Sequence, residues 1–378
     1  MMKNNLYGYY KVNDDIYTHK ISALIAATKA NTTPTWHFHK ETYSKFNWQQ
    51  SSISIKDAYQ KRAKQLREKY DYLVMSFSGG SDSWSAIQAF IDSGTHLDEI
   101  FVRWPISATV GKYTPNTVID HASNILSEWE LTIYPMLTHY QKIIPKTKIT
   151  VHDFSDQLLS SEVTDNDWML TQDYLNVGSF IKFQAISDDE LKAIEAGKST
   201  AIIFGTDKPQ LCYRDGGIYC YFLDKLANCH AYSSINRVSE LFYWTPDVPE
   251  ITIAQAHELY NFVKTSPAAL DLITWGQPYN NKKKNLWNKI SKPIIYPDYT
   301  KLSTFQVNKS YTAVLDEVDD WMKDLKDFRY KQSWKWGLDN VLASIDKRFI
   351  ESKNGEITGL SGFIDNMYYV GSIDKAIV

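Results

Sequence analysis

Two strand-like runs, Tyr72-Leu73-Val74-Met75-Ser76-Phe77 and Glu99-Ile100-Phe101-Val102-Arg103-Trp104, flank a segment in which Ile87, Phe90 and Ile91 recur at helical spacing. Strand, helix and strand in so short a span form a βαβ unit, which requires parallel strands joined by a right-handed crossover. Ser93-Gly94 supplies the helix stop and Pro105 closes the second strand. The pattern repeats. Val118, Ile119, Ala122, Ile125, Leu126 and Trp129 mark a further amphipathic helix, and Lys148–His152 and Thr200–Phe204 read as third and fourth strands. The expectation is an α/β fold with a doubly wound, mainly parallel sheet of Rossmann-like type over about residues 55–245. An N-terminal extension, 1–54, precedes it, and a mainly helical C-terminal region, 246–378, follows.

Local patterns fill in the rest. Ala58, Arg62, Ala63 and Leu66 predict a helix over Ile55–Tyr70 that delivers the chain to the first strand. Asn13-Asp14-Asp15 suggests a hairpin, and a short helix is expected from about Lys20 to Ala30. Leu211–Arg214 and Ile218–Leu223 flank Asp215-Gly216-Gly217, a hairpin signal with a three-residue loop. Helical patterns near Thr252–Lys264, Thr312–Phe328 and Ser333–Arg348 enclose an irregular stretch, about 275–309, rich in Lys, Asn, Pro and aromatics. There is no internal repeat.

Composition narrows the function classes. A chain with 43% hydrophobic and 14% aromatic residues packs a core, and a net charge of −3 gives no global pull towards nucleic acid. No apolar run is long enough for a membrane span or a signal peptide, so a cytoplasmic protein is expected. The three cysteines, Cys212, Cys220 and Cys229, fit a reducing compartment. Their spacing, with His230 beside the last, does not match the short ligand pairs of zinc sites, and small buried apolar residues account for them better.

The chemistry concentrates between the first strand and its helix, at Ser78-Gly79-Gly80-Ser81-Asp82-Ser83. Adjacent glycines let the backbone turn with positive φ and approach a ligand closely. Hydroxyls and the free amides of a helix start offer several donors to phosphate oxygens. Asp82 stands apart, because a carboxylate beside phosphates repels them unless a cation lies between; it reads equally as a metal ligand or as the helix N-cap. At the carboxyl end of the fourth strand, Gly205-Thr206-Asp207-Lys208 lies where doubly wound sheets put their ligand crevice. Lys208 is a candidate for phosphate charge and Asp207 for a second metal ligand, against the plain reading of a polar turn stopped by Pro209.

The Ser-Gly-Gly-x-Asp-Ser string between strand and helix resembles the PP-loop of the N-type ATP pyrophosphatase superfamily, adenine nucleotide α-hydrolase-like proteins that include asparagine synthetase and phosphoadenosine phosphosulfate reductase relatives. The resemblance is specific over about residues 72–104 and weaker as far as Pro209. It implies an ATP-binding domain in which Ser78, Gly79, Gly80, Ser81, Asp82 and Ser83 hold the pyrophosphate of ATP. Gly205 and Thr206 correspond to a Gly-Thr pair that some relatives carry near this place. It also implies Mg²⁺ at Asp82. Val102 and Arg103, with Trp104 beside them, are candidates to frame adenine, although a tryptophan in an α/β domain is more often a packing residue. An acceptor oxygen would attack the α-phosphorus, giving an adenylated intermediate and free pyrophosphate, with Lys208 and Asp82 as the catalytic residues.

Departures from relatives narrow the reaction. Only 77 residues precede Ser78, too few for the N-terminal glutaminase domain of glutamine-dependent asparagine synthetases. The cysteine pairs of thiolating members and the His-x-x-His of lysidine synthetase are absent. Position 81 is Ser where many relatives show Lys, Val or Leu. The expected outcome is an ATP-dependent adenylating enzyme, amide-ligase-like, that activates a carboxylate or carbonyl oxygen so that an amine can attack the carbon bearing it and displace AMP. A phosphosulfate or sulfurylation enzyme is an alternative, as is a non-catalytic nucleotide- or RNA-binding module. The last draws on the Tyr279–Lys309 stretch, where seven lysines meet one acid, Asp298, among Trp287, Tyr296, Tyr299 and Phe305. Such a stretch grips RNA or a phosphorylated substrate, or is a solvated loop.

Overall fold

The computed structural model describes residues 7–104, 129–154, 185–206, 208, 210–224, 237–276, 281–302, 305, 341–353 and 356–373. The chain begins with a three-stranded antiparallel sheet of β1 (Tyr9–Val12), β2 (Asp15–Tyr17) and β3 (Thr35–His37), in the order β2-β1-β3. Val12 pairs with Asp15 across a two-residue turn in which Asn13 takes φ of 53°, a conformation asparagine tolerates. A helix, Lys20–Lys29, joins β2 to β3.

The centre of the molecule is a five-stranded, all-parallel sheet of β4 (Tyr72–Ser76), β5 (Glu99–Arg103), β6 (Lys148–His152), β7 (Thr200–Phe204) and, after the hairpin of β8 (Gln210–Arg214) and β9 (Gly217–Tyr221), β10 (Val238–Leu241). The spatial order is β10-β7-β4-β5-β6. The chain therefore steps outward from β4 through β5 to β6, returns to the other side of β4 for β7, and steps outward again to β10. β5 and β7 are buried along their whole length, which is why they read as unbroken strand signals.

Helices cover both faces. Glu240 pairs in register with Ile203, and it receives Arg62 of the Ile55–Lys69 helix at 2.7 Å. Glu99 pairs with Val74, which pairs with Ile202, so it points to the opposite face. There it accepts from Ser187 at 2.6 Å, the N-cap of the Asp188–Glu195 helix. The architecture is thus α/β and Rossmann-like, with flanking helices on a parallel sheet.

Three local expectations change. The hairpin turn has two residues, not three: Arg214 pairs directly with Gly217, while Asp215 and Gly216 both take positive φ, 50° and 81°. That is the turn whose twist matches paired strands. The stretch expected to be irregular over 275–309 contains a helix, Asn281–Ile295, which runs through Pro293. Trp287, Ser291 and Ile295, four residues apart, form its buried face. After residue 246 the helices Glu250–Val263 and Pro267–Ile273 are joined by strands β11 (Ile350–Lys353), β12 (Glu356–Leu360) and β13 (Tyr368–Ser372); β13 extends the hairpin into the sheet β13-β9-β8. The patterns at Val118–Leu126, Thr312–Phe328 and Ser333–Asn340 lie outside the described residues.

An aromatic core fastens these parts together. Tyr43 and Phe222 rings lie 4.6 Å apart, Trp48 stacks on Tyr368 at 4.5 Å, and Trp244 meets Phe222 edge-on at 5.1 Å. Beside it, Lys20 and Asp224 form an ion pair at 2.9 Å with side chains 2% and 0% exposed. Tyr10 donates to the same carboxylate at 2.7 Å, and the Phe363 amide donates at 2.8 Å.

Candidate functional site

A ligand crevice in an open parallel sheet opens where strand order reverses, outside the carboxyl ends of the two strands that diverge. Here those strands are β4 and β7. They are in register to their last residues, Ser76 with Phe204. The chain segments that leave them are the Ser78–Ser83 loop and Gly205–Lys208, so the two candidate segments meet at the switch point.

Contact between them is direct. A Cβ at Gly205 would lie 2.7 Å from Asp82 C and from Ser83 N, so only glycine lets β7 end against the start of the helix. That helix spans Ser81–Asp92, and its first main-chain bond runs from Trp84 N–H to Gly80 O at 3.0 Å. The amides of Ser81, Asp82 and Ser83 therefore have no intrahelical acceptor, and the positive end of the helix dipole lies at the crevice.

Within the loop the glycines differ. Gly79 takes φ of 71°, whereas Gly80 is extended at φ −84° and forms the N-cap. Both are buried, and a Cβ at Gly79 would lie 2.6 Å from Ile133 Cγ1, so that glycine is required by packing as well as by its backbone. Ser78 is exposed. The Ser83 hydroxyl is turned inward: it donates to Gly80 O at 3.2 Å and accepts from Ser78 N–H at 3.3 Å. Ser81 is fully buried and its Oγ has no hydrogen-bond partner; Thr132, beside Gly79, is in the same condition.

Asp82 is not the N-cap. It lies in the first turn, and its Oδ1 receives Lys208 Nζ at 3.0 Å and the Tyr296 hydroxyl. Tyr243 donates to its main-chain oxygen at 2.7 Å. Burial alone would push this carboxyl up; the charges of Lys208 and Lys292, with the hydrogen bonds from Tyr296 and Lys208, outweigh it and hold the group at about 2. The Tyr296 phenol is driven far up, first by burial and then by the Asp82 charge, so it stays a donor.

The adenine candidates are not brought together. Arg103 folds onto the face shared by Ser76, Phe101 and Phe204, where it donates to Ser76 Oγ and lies 5.3 Å over the Phe101 ring and 5.6 Å over that of Phe204. Burial, then the Arg237 charge, pulls it down to about 9. Val102 alternates to the other face and is buried, and Trp104 packs 6.3 Å from Trp129. Thr206 is half-buried beside Gly205, and Asp207 lies outside the described residues. Cys212 and Cys220 are buried free thiols. Trp287 and Tyr296 belong to the core, which removes two aromatics from any base-stacking surface.

Among the described residues no three His, Cys, Asp or Glu side chains could hold a metal. One carboxylate at the loop nevertheless suits Mg²⁺, which takes most of its ligands from phosphates and water. Also among the described residues, no helix is long and apolar enough to cross a membrane. Lys292 and Tyr296 belong to the lysine-aromatic stretch that the sequence offered as a grip for a phosphorylated substrate, but their meeting with Asp82 specifically was not foreseen; Tyr243 was missed altogether, since it reaches Asp82 across 161 residues of chain and no local pattern announces such a contact. No protein family, curated protein or solved structure matches the chain.

Proposed function

We propose that the chain is an ATP-dependent adenylating enzyme, amide-ligase-like in outcome, with the outer phosphates of ATP at the Ser78–Ser83 loop. The observation that carries this reading is the meeting of that loop with Gly205–Lys208 at the switch point.

A substrate carboxylate or carbonyl oxygen attacks the α-phosphorus, the bond to the bridging oxygen breaks, and pyrophosphate leaves with the electron pair. An amine then displaces AMP from the activated carbon. The amides of Ser81, Asp82 and Ser83 and the Lys208 ammonium meet the charge that gathers on the leaving group, and being fixed beforehand they need little reorganisation. Mg²⁺, held by Asp82 together with phosphate oxygens, would supply further neutralisation of that charge. Asp82 stays ionised throughout the physiological range.

The test is release of pyrophosphate from α-labelled ATP across pools of carboxylate metabolites and tRNA with amine donors. Asp82→Ala and Lys208→Ala should each lose at least about tenfold in turnover. Formation of ADP and orthophosphate instead would refute the reaction, and wild-type rates in both variants would show that the site lies elsewhere.

A further inference from the structure

The Asn281–Ile295 helix comes nearly two hundred residues after the loop, yet its carboxyl end abuts it. Tyr296, just past that end, is 1% exposed and donates to the same Asp82 oxygen that Lys208 holds. Its amide donates to the Lys292 carbonyl at 3.0 Å, so Lys292 lies one turn back along the helix. At 100° per residue, Lys282, Lys289, Lys292 and Tyr296 fall within a stripe about 80° wide that flanks the buried face of Trp287, Ser291 and Ile295, exposed at Lys282 and Lys289 and turning into the core at Tyr296. Lys292 is half-buried, at the end of this stripe nearest the loop.

We propose that Lys292 is a second phosphate-binding lysine and that Tyr296 positions Asp82, so that the C-terminal helix completes the nucleotide site. This rests on the ATP reading above. Among the described residues, Lys208 and Lys292 bring two ammonium groups to the Asp82 carboxylate, a concentration of positive charge that suits the polyanionic tail of a nucleoside triphosphate. An ammonium is a compact point charge on a flexible stem and can turn from a carboxylate to a phosphate without the directional demands of a guanidinium. The Tyr296 hydroxyl, fixed in the core and kept protonated, holds the carboxylate's orientation while its lysine partners take up phosphate.

The experiment is calorimetric titration of the full chain with ATP and with AMP, each with magnesium and after chelation. Lys292→Met should weaken ATP binding by at least about tenfold, the loss of one charge-assisted contact, and change AMP binding less than about twofold. Lys292→Arg should restore part of the ATP affinity. Lys289→Met, exposed on the same helix, should alter neither nucleotide. Tyr296→Phe keeps the ring and removes the hydroxyl; it should reduce the gain in ATP affinity that magnesium brings. Melting curves guard against misfolding. Wild-type ATP affinity in Lys292→Met, or an equal loss of ATP and AMP in a folded variant, overturns the proposal and leaves the ATP reading standing. A wild-type chain that binds neither nucleotide overturns both.

Discussion

Gly205→Ala probes the approach of β7 to the helix start with a single methyl group. No unusual φ is required of Gly205, so the substitution meets one obstacle, the main-chain atoms Asp82 C and Ser83 N at 2.7 Å and Asp82 O at 2.8 Å. These belong to a helix terminus and cannot swing aside as a side-chain tip would. Relief must come from moving the helix or the end of β7, and overpacking of this kind costs about 1–3 kcal/mol. The same displacement would spoil the Lys208–Asp82 contact, so stability and Mg·ATP affinity should fall together. Gly94→Ala is the comparison: φ is 64° with nothing within 4 Å, so its cost, about 1–2 kcal/mol, is conformational and remote from the crevice. Urea unfolding gives the two stability losses, and titration with ATP separates them, since only Gly205→Ala should weaken binding. A Gly205→Ala chain within about 0.5 kcal/mol of wild type, with unchanged ATP affinity, would refute the tight apposition on which the site rests.

Other expectations are independent of it. Asp82 titrates at about 2 in the fold against 3.8 otherwise, so its ionisation contributes stability above pH 3.8 that is lost as pH falls towards 2. The contribution is at most about 2 kcal/mol. The stability difference between wild type and Asp82→Asn should therefore shrink between pH 5 and pH 3, and a flat difference would count against the ion-pair geometry. Lys20→Met leaves Asp224 buried without its ammonium and should destabilise by about 3–5 kcal/mol; Lys20→Met with Asp224→Leu should recover part of this, and a harmless single variant would contradict the burial of the pair. Burial pushes the Cys212 thiol up to about 11 and raises that of Cys220 as well, so at pH 8 neither should react with iodoacetamide in the native chain, and both should once urea unfolds it. Rapid alkylation of either before unfolding would exclude the described packing.

Much of the fold was legible because central parallel strands are buried on both faces and read as continuous strand signals. β4, β5 and β7 are of this kind, while β6 lies at the sheet edge, half-buried to exposed, and was legible from its β-branched residues instead; the ends of all four fell within a residue of expectation. β10 was not legible. Its Glu240 interrupts the apolar pattern and is satisfied by Arg62, Lys69 and Tyr70, residues about 170 positions earlier. The Asn281–Ile295 helix was hidden for a similar reason: lysines, asparagines and Pro293 suggest a loop, and the four-residue spacing of Trp287, Ser291 and Ile295 gains meaning only once a partner surface exists. In the site, the loop and the Gly205–Lys208 segment were legible because both follow strands. The closing side chains, Tyr243 and Tyr296, were not, since tyrosine at those positions satisfies core packing equally well.

The fold alone accounts for part of the loop. Gly79 is demanded by a positive φ and by Ile133; Gly80 caps the helix; Ser83 ties the loop to itself through Ser78 and Gly80. None of these three needs a phosphate to explain it. Ser81 and Asp82 are different. A serine fully buried without a partner costs stability where alanine would not, and a carboxylate in a helix's first turn could stabilise the dipole while remaining in solvent. Instead Asp82 is drawn inward and surrounded by Lys208, Tyr296 and the charge of Lys292, an arrangement whose desolvation offsets much of its attraction. Ser81→Ala should therefore leave the chain as stable as wild type or more so, while weakening ATP binding. A variant that loses stability and binds ATP normally would return Ser81 to the ranks of packing residues and leave Asp82 alone to carry the functional reading.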